Sequence, residues 1–133
     1  MERIGHGVRA VDNLVLVERL ARDRIPLELC PTSNLCTGVV SSFADHPFRA
    51  LDEAGVIVTV NSDDPPLFGT TLTDEFLVLA RHWGYDADGV QRIALNAVDA
   101  AFLSDQERAN MRSSFETEFA SLRQELDLPL AGG

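Results

Sequence analysis

Lysine is absent from this 133-residue chain, and all eleven basic residues are arginines scattered singly along it. Set against 21 acidic residues, they leave a net charge of −10. A phosphate-backbone partner needs a basic stripe, so this balance argues against nucleic-acid binding. Cysteine is scarce as well. Cys30 and Cys36 are too few and too poorly spaced for a structural zinc site, and they read as loop or core thiols in a reducing compartment. No apolar run is long enough to span a membrane, no signal-like segment opens the chain, and no repeat or low-complexity tract appears. Cytoplasm is the default location. What is present suffices for a core: 45% of the residues are hydrophobic, an ordinary share for a globular chain.

The most informative segment is Asn61-Ser62-Asp63-Asp64-Pro65, which follows the β-branched run Val56-Ile57-Val58-Thr59-Val60. Such a run predicts a buried parallel strand, and functional residues in α/β sheets collect just past the carboxyl ends of these strands. Two adjacent carboxylates repel unless a cation or a shared proton compensates them, and a bound metal is the simplest compensation. The alternative is structural: Asp-Asp-Pro is good turn and helix-capping chemistry.

Two further junctions have the same form. Ile4-Gly5-His6-Gly7 places a histidine between glycines at the end of a short apolar stretch, where backbone or ligand can come close to the imidazole. Leu27-Glu28-Leu29 runs into the polar segment Cys30-Pro31-Thr32-Ser33-Asn34, expected to be a loop stopped by its proline. Between the junctions, helical spacing predicts one helix over Val11 to Arg22 and a shorter one from His46-Pro47 to Ala54. The order is strand, helix, strand, helix, strand, helix.

The three segments Arg3-Ile4-Gly5-His6-Gly7, Cys30-Pro31-Thr32-Ser33-Asn34 and Asn61-Ser62-Asp63-Asp64-Pro65 occur in an order and spacing that resembles the C-terminal part of the adenosine deaminase family of metal-dependent amidohydrolases. His46-Pro47-Phe48, Phe68-Gly69-Thr70-Thr71-Leu72 and Asp74-Glu75-Phe76 extend the resemblance to about Phe102. It implies an α/β fold, the C-terminal portion of a TIM (β/α)8 barrel, with about three parallel strands and their helices over residues 1–72 and C-terminal helices over 73–133. It also implies Zn2+ as cofactor. Carried over residue by residue, Asp63 is similar to the zinc ligand, Asp64 to the residue that contacts the purine, and His6 to the catalytic histidine that orients the attacking water. The residue types suit this: a carboxylate is a good zinc ligand, and zinc lowers the pKa of its water toward neutrality.

The chain departs from the family pattern at its start. That pattern takes its other zinc ligands from an early His-x-His and a later His-Ala-Gly-Glu, and neither is present; the three histidines are His6, His46 and His82. A complete barrel needs roughly 200 residues or more. The chain is therefore expected to be about the last third of a barrel, inactive alone, with the remaining N-terminal part of the barrel as a partner. The resemblance implies a purine nucleoside substrate, adenosine first, with adenine and aminodeoxyfutalosine as alternatives. A non-catalytic barrel remnant or interaction module pairing through open strand edges is the competing class. The His-x-Glu and Pro-Cys-x-x-Cys pair of cytidine-deaminase-type sites is missing, so deamination here would be of the amidohydrolase kind.

Several residues have plainer readings. His82, near a helix end, reads as a surface histidine complementing the helix dipole, and His46 as a helix cap. Ser33 and Asn34 sit where a supporting hydrogen bond is feasible, and Leu67 and Phe68 where they would line an apolar pocket wall. Helices are predicted over Thr73 to His82, capped by Thr73 and Asp74, over Asp86 to Val98, and from the Ser104-x-x-Glu107 capping box toward Leu126. The stripe Met111, Phe115, Phe119 and Leu122 is expected to be a packing face of that last helix. Acidic residues from Asp105 to Asp127 read as solvated, and Pro129 with Gly132-Gly133 as a frayed tail.

Overall fold

A computed structural model describes residues 2–129. Three short strands, β1 (Ile4–Gly5), β2 (Leu27–Leu29) and β3 (Val58–Val60), form one parallel sheet in the order β1-β2-β3. Ile4 lies opposite Leu27 and Leu27 opposite Val58, so successive side chains along each strand divide between the two faces. Leu27, Leu29, Val58 and Val60 are buried among Phe48, Leu51, Leu79 and Ile93. The other face carries Glu28, whose carboxylate pairs with Arg3 Nε at 3.0 Å. β1 and β3 are the sheet's two edges, as the three-strand reading implies.

The connections are helices α1 (Leu14–Arg22), α2 (Pro31–Cys36) and α3 (Phe48–Glu53), followed after β3 by α4 (Pro65–Phe68), α5 (Leu72–Trp83), α6 (Ala87–Asp99) and α7 (Asp105–Glu125). The helix predicted over Val11 to Arg22 begins later, because Asn13 takes an extended conformation and its side chain accepts from Leu16 N–H; a 3-10 turn, Val8–Asp12, precedes it. The polar loop expected at Cys30–Asn34 is instead the start of α2. Pro31 is its first residue, where a fixed φ favours a helix and no N–H is missed. The capping box of α5 is formed by Thr71 and Asp74 rather than by Thr73, whereas the predicted Ser104–Glu107 box is present.

α7 departs furthest from expectation. Its stripe does not pack fully: Met111, Phe115 and Leu122 are 40%, 41% and 40% exposed. Polar contacts to α6 hold the helix instead. Arg112 donates to Asp99 at 2.6 Å, and buried Arg123 bonds Asp88 and Gln91. Arg123 also holds the carbonyl of Pro129, while Gly132 and Gly133 lie outside the described residues.

Two buried polar groups lock the upper half of the fold. Glu75 on α5, fully buried, accepts from Thr32 N–H at 3.0 Å and from Thr70 Oγ1 at 2.6 Å, fastening α2 to the segment after α4. The buried His46 ring lies 5.2 Å from Trp83 between centroids; its Nδ1 accepts from Phe48 N–H, so its Nε2 carries the proton and donates to Asn34 Oδ1 at 3.0 Å. His46 thus precedes the N-cap of α3, which is Pro47, and accepts the N–H of the helix's first residue; burial pulls its pKa down to about 4. His82 is exposed in the last turn of α5, against Phe43.

Because His46 is neutral when folded and protonates near its ordinary value of about 6.5 when unfolded, its contribution is complete above that value. It fades as pH falls toward 4, by about 3 kcal/mol at most. Urea unfolding followed by Trp83 fluorescence should show this loss between pH 6.5 and 4, and His46→Gln should flatten it. By the same measurement at pH 7, Glu75→Ala is expected to cost about 2–3 kcal/mol, from the donors it leaves unpaired in the interior. Glu75→Gln costs less, since its amide can still accept from Thr32 and donate to Thr70.

Candidate functional site

The carboxyl ends of the three strands bring the predicted residues to one rim. His6 directly follows β1, Cys30 directly follows β2, and Asp63 lies three residues beyond β3. Parallel strands sit about 4.8 Å apart, so groups leaving adjacent strands at one level become neighbours. His6 Nε2 faces Asp63 Oδ2 at 3.9 Å. Ser33 Oγ donates to that same Oδ2 at 2.6 Å, giving the carboxylate a fixed partner.

Local backbone explains why these residues project as they do. His6 and Asp63 both adopt left-handed conformations, with φ of 58° and 57°. This breaks the side-to-side alternation of the strands they end. Gly7 follows with φ 79°, and a Cβ there would come within 2.8 Å of the buried Leu27 side chain. Ser33 reaches Asp63 because α2 is anchored by Glu75 on one side and by the Asn34–His46 bond on the other.

Asp64 does two things its sequence context allows. Its Oδ1 caps α4 by accepting from Leu67 N–H at 3.1 Å, and its side chain remains exposed on the rim. A pocket of about 480 Å³ beside the rim is lined by His6, Ser33, Asn34 and Asp63. Leu67 and Phe68, expected on an apolar pocket wall, do not line it, and Leu67 is 71% exposed. A slightly larger cavity, about 530 Å³, opens at the opposite end of the sheet near Pro26 and Ile57. Amino-terminal ends of barrel strands serve stability rather than chemistry, so it is not the candidate site.

Sequence reasoning missed Cys30 as a member of this group. His6, Cys30 and Asp63 offer ligand atoms that all lie within 4.8 Å of one another. The signal was available in its position, one residue past a strand end like His6, but too few cysteines for a metal motif hid it. Burial pushes the Cys30 thiol up to about 12, helped by the negative charge of Asp63, Glu75 and Glu28. Cys36 is exposed, and both thiols are free.

The donor set suits zinc. Imidazole, thiol and carboxylate are its usual ligands, and at 2.0–2.3 Å from a tetrahedral ion such atoms stand about 3.3–3.8 Å apart. The observed spacing is wider, 3.9 Å between His6 Nε2 and Asp63 Oδ2 and up to 4.8 Å across the set.

The sequence model of the family described as Adenosine deaminase matches residues 1–118. The aminodeoxyfutalosine deaminase of Streptomyces avermitilis is 43% identical over 120 residues, which is 90% of this chain and 34% of that protein. The crystal structure of adenine deaminase from Arthrobacter aurescens superposes with a TM-score of 0.85 at 34% identity, covering 91% of this chain and 37% of that one. A zinc-bound amidohydrolase from Burkholderia ambifaria does so with a TM-score of 0.85 at 27% identity, over 96% of this chain and 36% of that one. The chain thus spans about a third of the length of the curated relative it matches. Its three parallel strands and helices match the C-terminal part of a TIM-barrel deaminase. By motifs, strand-end geometry and this similarity, the chain belongs to the adenosine deaminase family.

Proposed function

We propose that this chain is the C-terminal third of a zinc-dependent aminohydrolase of 6-aminopurines, in which residues 1–72 supply barrel βα units and residues 73–133 the C-terminal helices. The observation that carries the reading is the facing pair His6 and Asp63, 3.9 Å apart on a strand-end rim, with Ser33 fixing the carboxylate. The substrate is a free or ribosylated 6-aminopurine. Adenine and aminodeoxyfutalosine stand ahead of adenosine, the first expectation, because relatives bearing those two names resemble this chain over most of its length.

Each residue then has a role. Asp63 presents one carboxylate to the zinc ion, which when bound supplies an acidified water for hydrolysis. His6 holds that water's orientation through its Nε2, and the glycine on either side leaves room for close approach of the ring to a ligand. Asp64, exposed and braced by its capping bond, contacts the purine. Water adds at the amine-bearing carbon, the C–N bond breaks, and ammonia leaves with a 6-oxopurine as the other product. The remaining ligands and purine contacts come from the rest of the barrel, whose strands pair with the open edges of β1 and β3. Two free thiols suit a reducing compartment, the cytoplasm.

Grafting this chain in place of the matching third of the Arthrobacter aurescens enzyme tests the reading. The soluble chimera should release ammonia from adenine or aminodeoxyfutalosine faster than from adenosine. His6→Ala should lower the rate about 10²- to 10⁴-fold, the usual worth of a positioned acid–base group. Asp63→Ala should remove both zinc and turnover. A folded chimera that is silent on all three substrates, or indifferent to Asp63→Ala, would overturn the assignment.

A further inference from the structure

We infer that Asn34 binds the substrate: its side-chain amide donates a hydrogen bond to one of the two purine ring nitrogens beside the 6-position, N1 or N7, and His46 is the positioning residue that aims it. This rests on the proposed function and deepens it, since it names an acceptor that the ligand must carry. The state of Asn34's own polar groups carries the inference. Asn34 is only 3% exposed. Its backbone N–H donates to the Cys30 carbonyl at 2.9 Å, and its carbonyl accepts from Val39 N–H at 2.9 Å and from Val40 N–H at 3.2 Å. Its Oδ1 accepts from His46 Nε2 at 3.0 Å. One group is left over: among the described residues, the Nδ2 amide, with two donors, meets no acceptor.

That amide opens on the rim pocket. Among the described residues, Arg108 Nε is the one side-chain nitrogen or oxygen both sealed from solvent and unpartnered. Asn34 Nδ2 is unpartnered too, so it is not sealed, and Asn34 lines the pocket that His6 and Asp63 line. A nearly buried donor is costly unless whatever enters the site supplies an acceptor. His46 decides which end of the amide faces that way. Phe48 N–H donates to His46 Nδ1 at 3.1 Å, so the neutral ring carries its proton on Nε2 and needs an oxygen there. The ring is 5% exposed and packs against Phe48 and Trp83. Asn34 therefore turns Oδ1 to His46 and Nδ2 to the pocket. No protein group competes for the donor, because Asp63 already accepts from Ser33 at 2.6 Å. A 6-aminopurine whose amine-bearing carbon meets His6 and Asp63 carries N1 on one side of the 6-substituent and N7 on the other, while N3 lies across the ring. Asp64, as a carboxylate, offers only acceptors and cannot serve an unprotonated ring nitrogen; Asn34 supplies the complementary donor.

The grafted barrel tests this by calorimetric binding of purines that have no amine to lose. The probes are 6-methylpurine and its 1-deaza, 3-deaza and 7-deaza counterparts, each with one ring nitrogen replaced by C–H. With Asn34 and His46 intact, the 1-deaza or the 7-deaza compound should bind about 3- to 10-fold more weakly than 6-methylpurine, the usual worth of one hydrogen bond. Asn34→Asp keeps an oxygen for His46 but puts an acceptor where the donor was, and the ratio should fall to about one through weaker binding of 6-methylpurine. Asn34→Leu should do the same, and the isosteric aspartate keeps the test open where the leucine variant does not fold. His46→Gln, whose amide can accept from Phe48 and donate to Asn34, should retain the ratio, whereas His46→Phe frees the Asn34 amide to turn over and should lose it. A merely structural role for His46 would shift every affinity together and leave the ratio alone. An unchanged ratio in Asn34→Asp, or coupling to the 3-deaza compound alone, would overturn the role of Asn34; a ratio kept in His46→Phe or lost in His46→Gln would overturn that of His46. A chimera that deaminates adenine without this coupling removes the inference and leaves the proposed function standing, while one that neither binds 6-methylpurine nor turns over any substrate removes both.

Discussion

The register of the three parallel strands is the constraint on which the rest of this structure depends. Backbone bonds from Ile4 to Pro26, His6 to Glu28, Leu27 to Ile57 and Asn61 to Leu29 set it. Strand side chains have a period of two, so slipping β2 by one residue would turn Leu27 and Leu29 away from the core and Glu28 into it. The same slip would carry Cys30 off the level of His6 and Asp63. Core and rim are therefore specified together: whatever holds Leu27 and Val58 against Phe48 and Ile93 also lines up the polar groups one step beyond the strand ends.

α2 turns that alignment into a braced site. Its consecutive residues Thr32, Ser33 and Asn34 each bond a different part of the chain: Glu75 on α5, Asp63 beyond β3, and His46 before α3. A helix of six residues has little stability of its own, so tertiary contacts decide where it sits. This is also why it was not legible in the sequence. Cys30-Pro31-Thr32-Ser33-Asn34 is turn-like in composition, and the partner that makes it helical, a carboxylate 43 residues away from Thr32, leaves no local signal.

Other elements were legible for equally physical reasons. The run Val56 to Val60 announces a strand because β-branched residues buried together favour one, and Ser104 with Glu107 announces a helix start because both halves of the capping box lie within four residues. His6, Asp63 and Asp64 were legible as a set through spacing and family resemblance, and the structure brings the first two face to face. The stripe on α7 misled because periodicity reports which residues share a face, not whether anything covers it. Here Arg112 and Arg123 dock the helix by polar contacts, leaving Met111, Phe115 and Leu122 turned partly to solvent.

Backbone strain separates the rim from the rest of the molecule. Among the described residues, four other than glycine adopt a left-handed conformation: His6, Arg24, Asp63 and Asp127. Arg24 and Asp127 come just after the final turns of α1 and α7, where a left-handed residue ordinarily closes a helix. His6 and Asp63 end no helix. Each follows a strand, and each carries a cost of about 1–2 kcal/mol that a right-handed or extended backbone would not incur. Local bonding over-determines both: His6 N–H is held by Glu28, and Asp63 by Ser33. Strain retained at two positions, both bearing metal-type ligands that face each other, is what a preorganised site requires. Were the residues merely turn formers, glycine or asparagine would serve at each with less strain. Under the proposed function, the histidine and the aspartate hold these places for what their side chains meet at the rim, His6 the facing carboxylate and Asp63 its Ser33 partner.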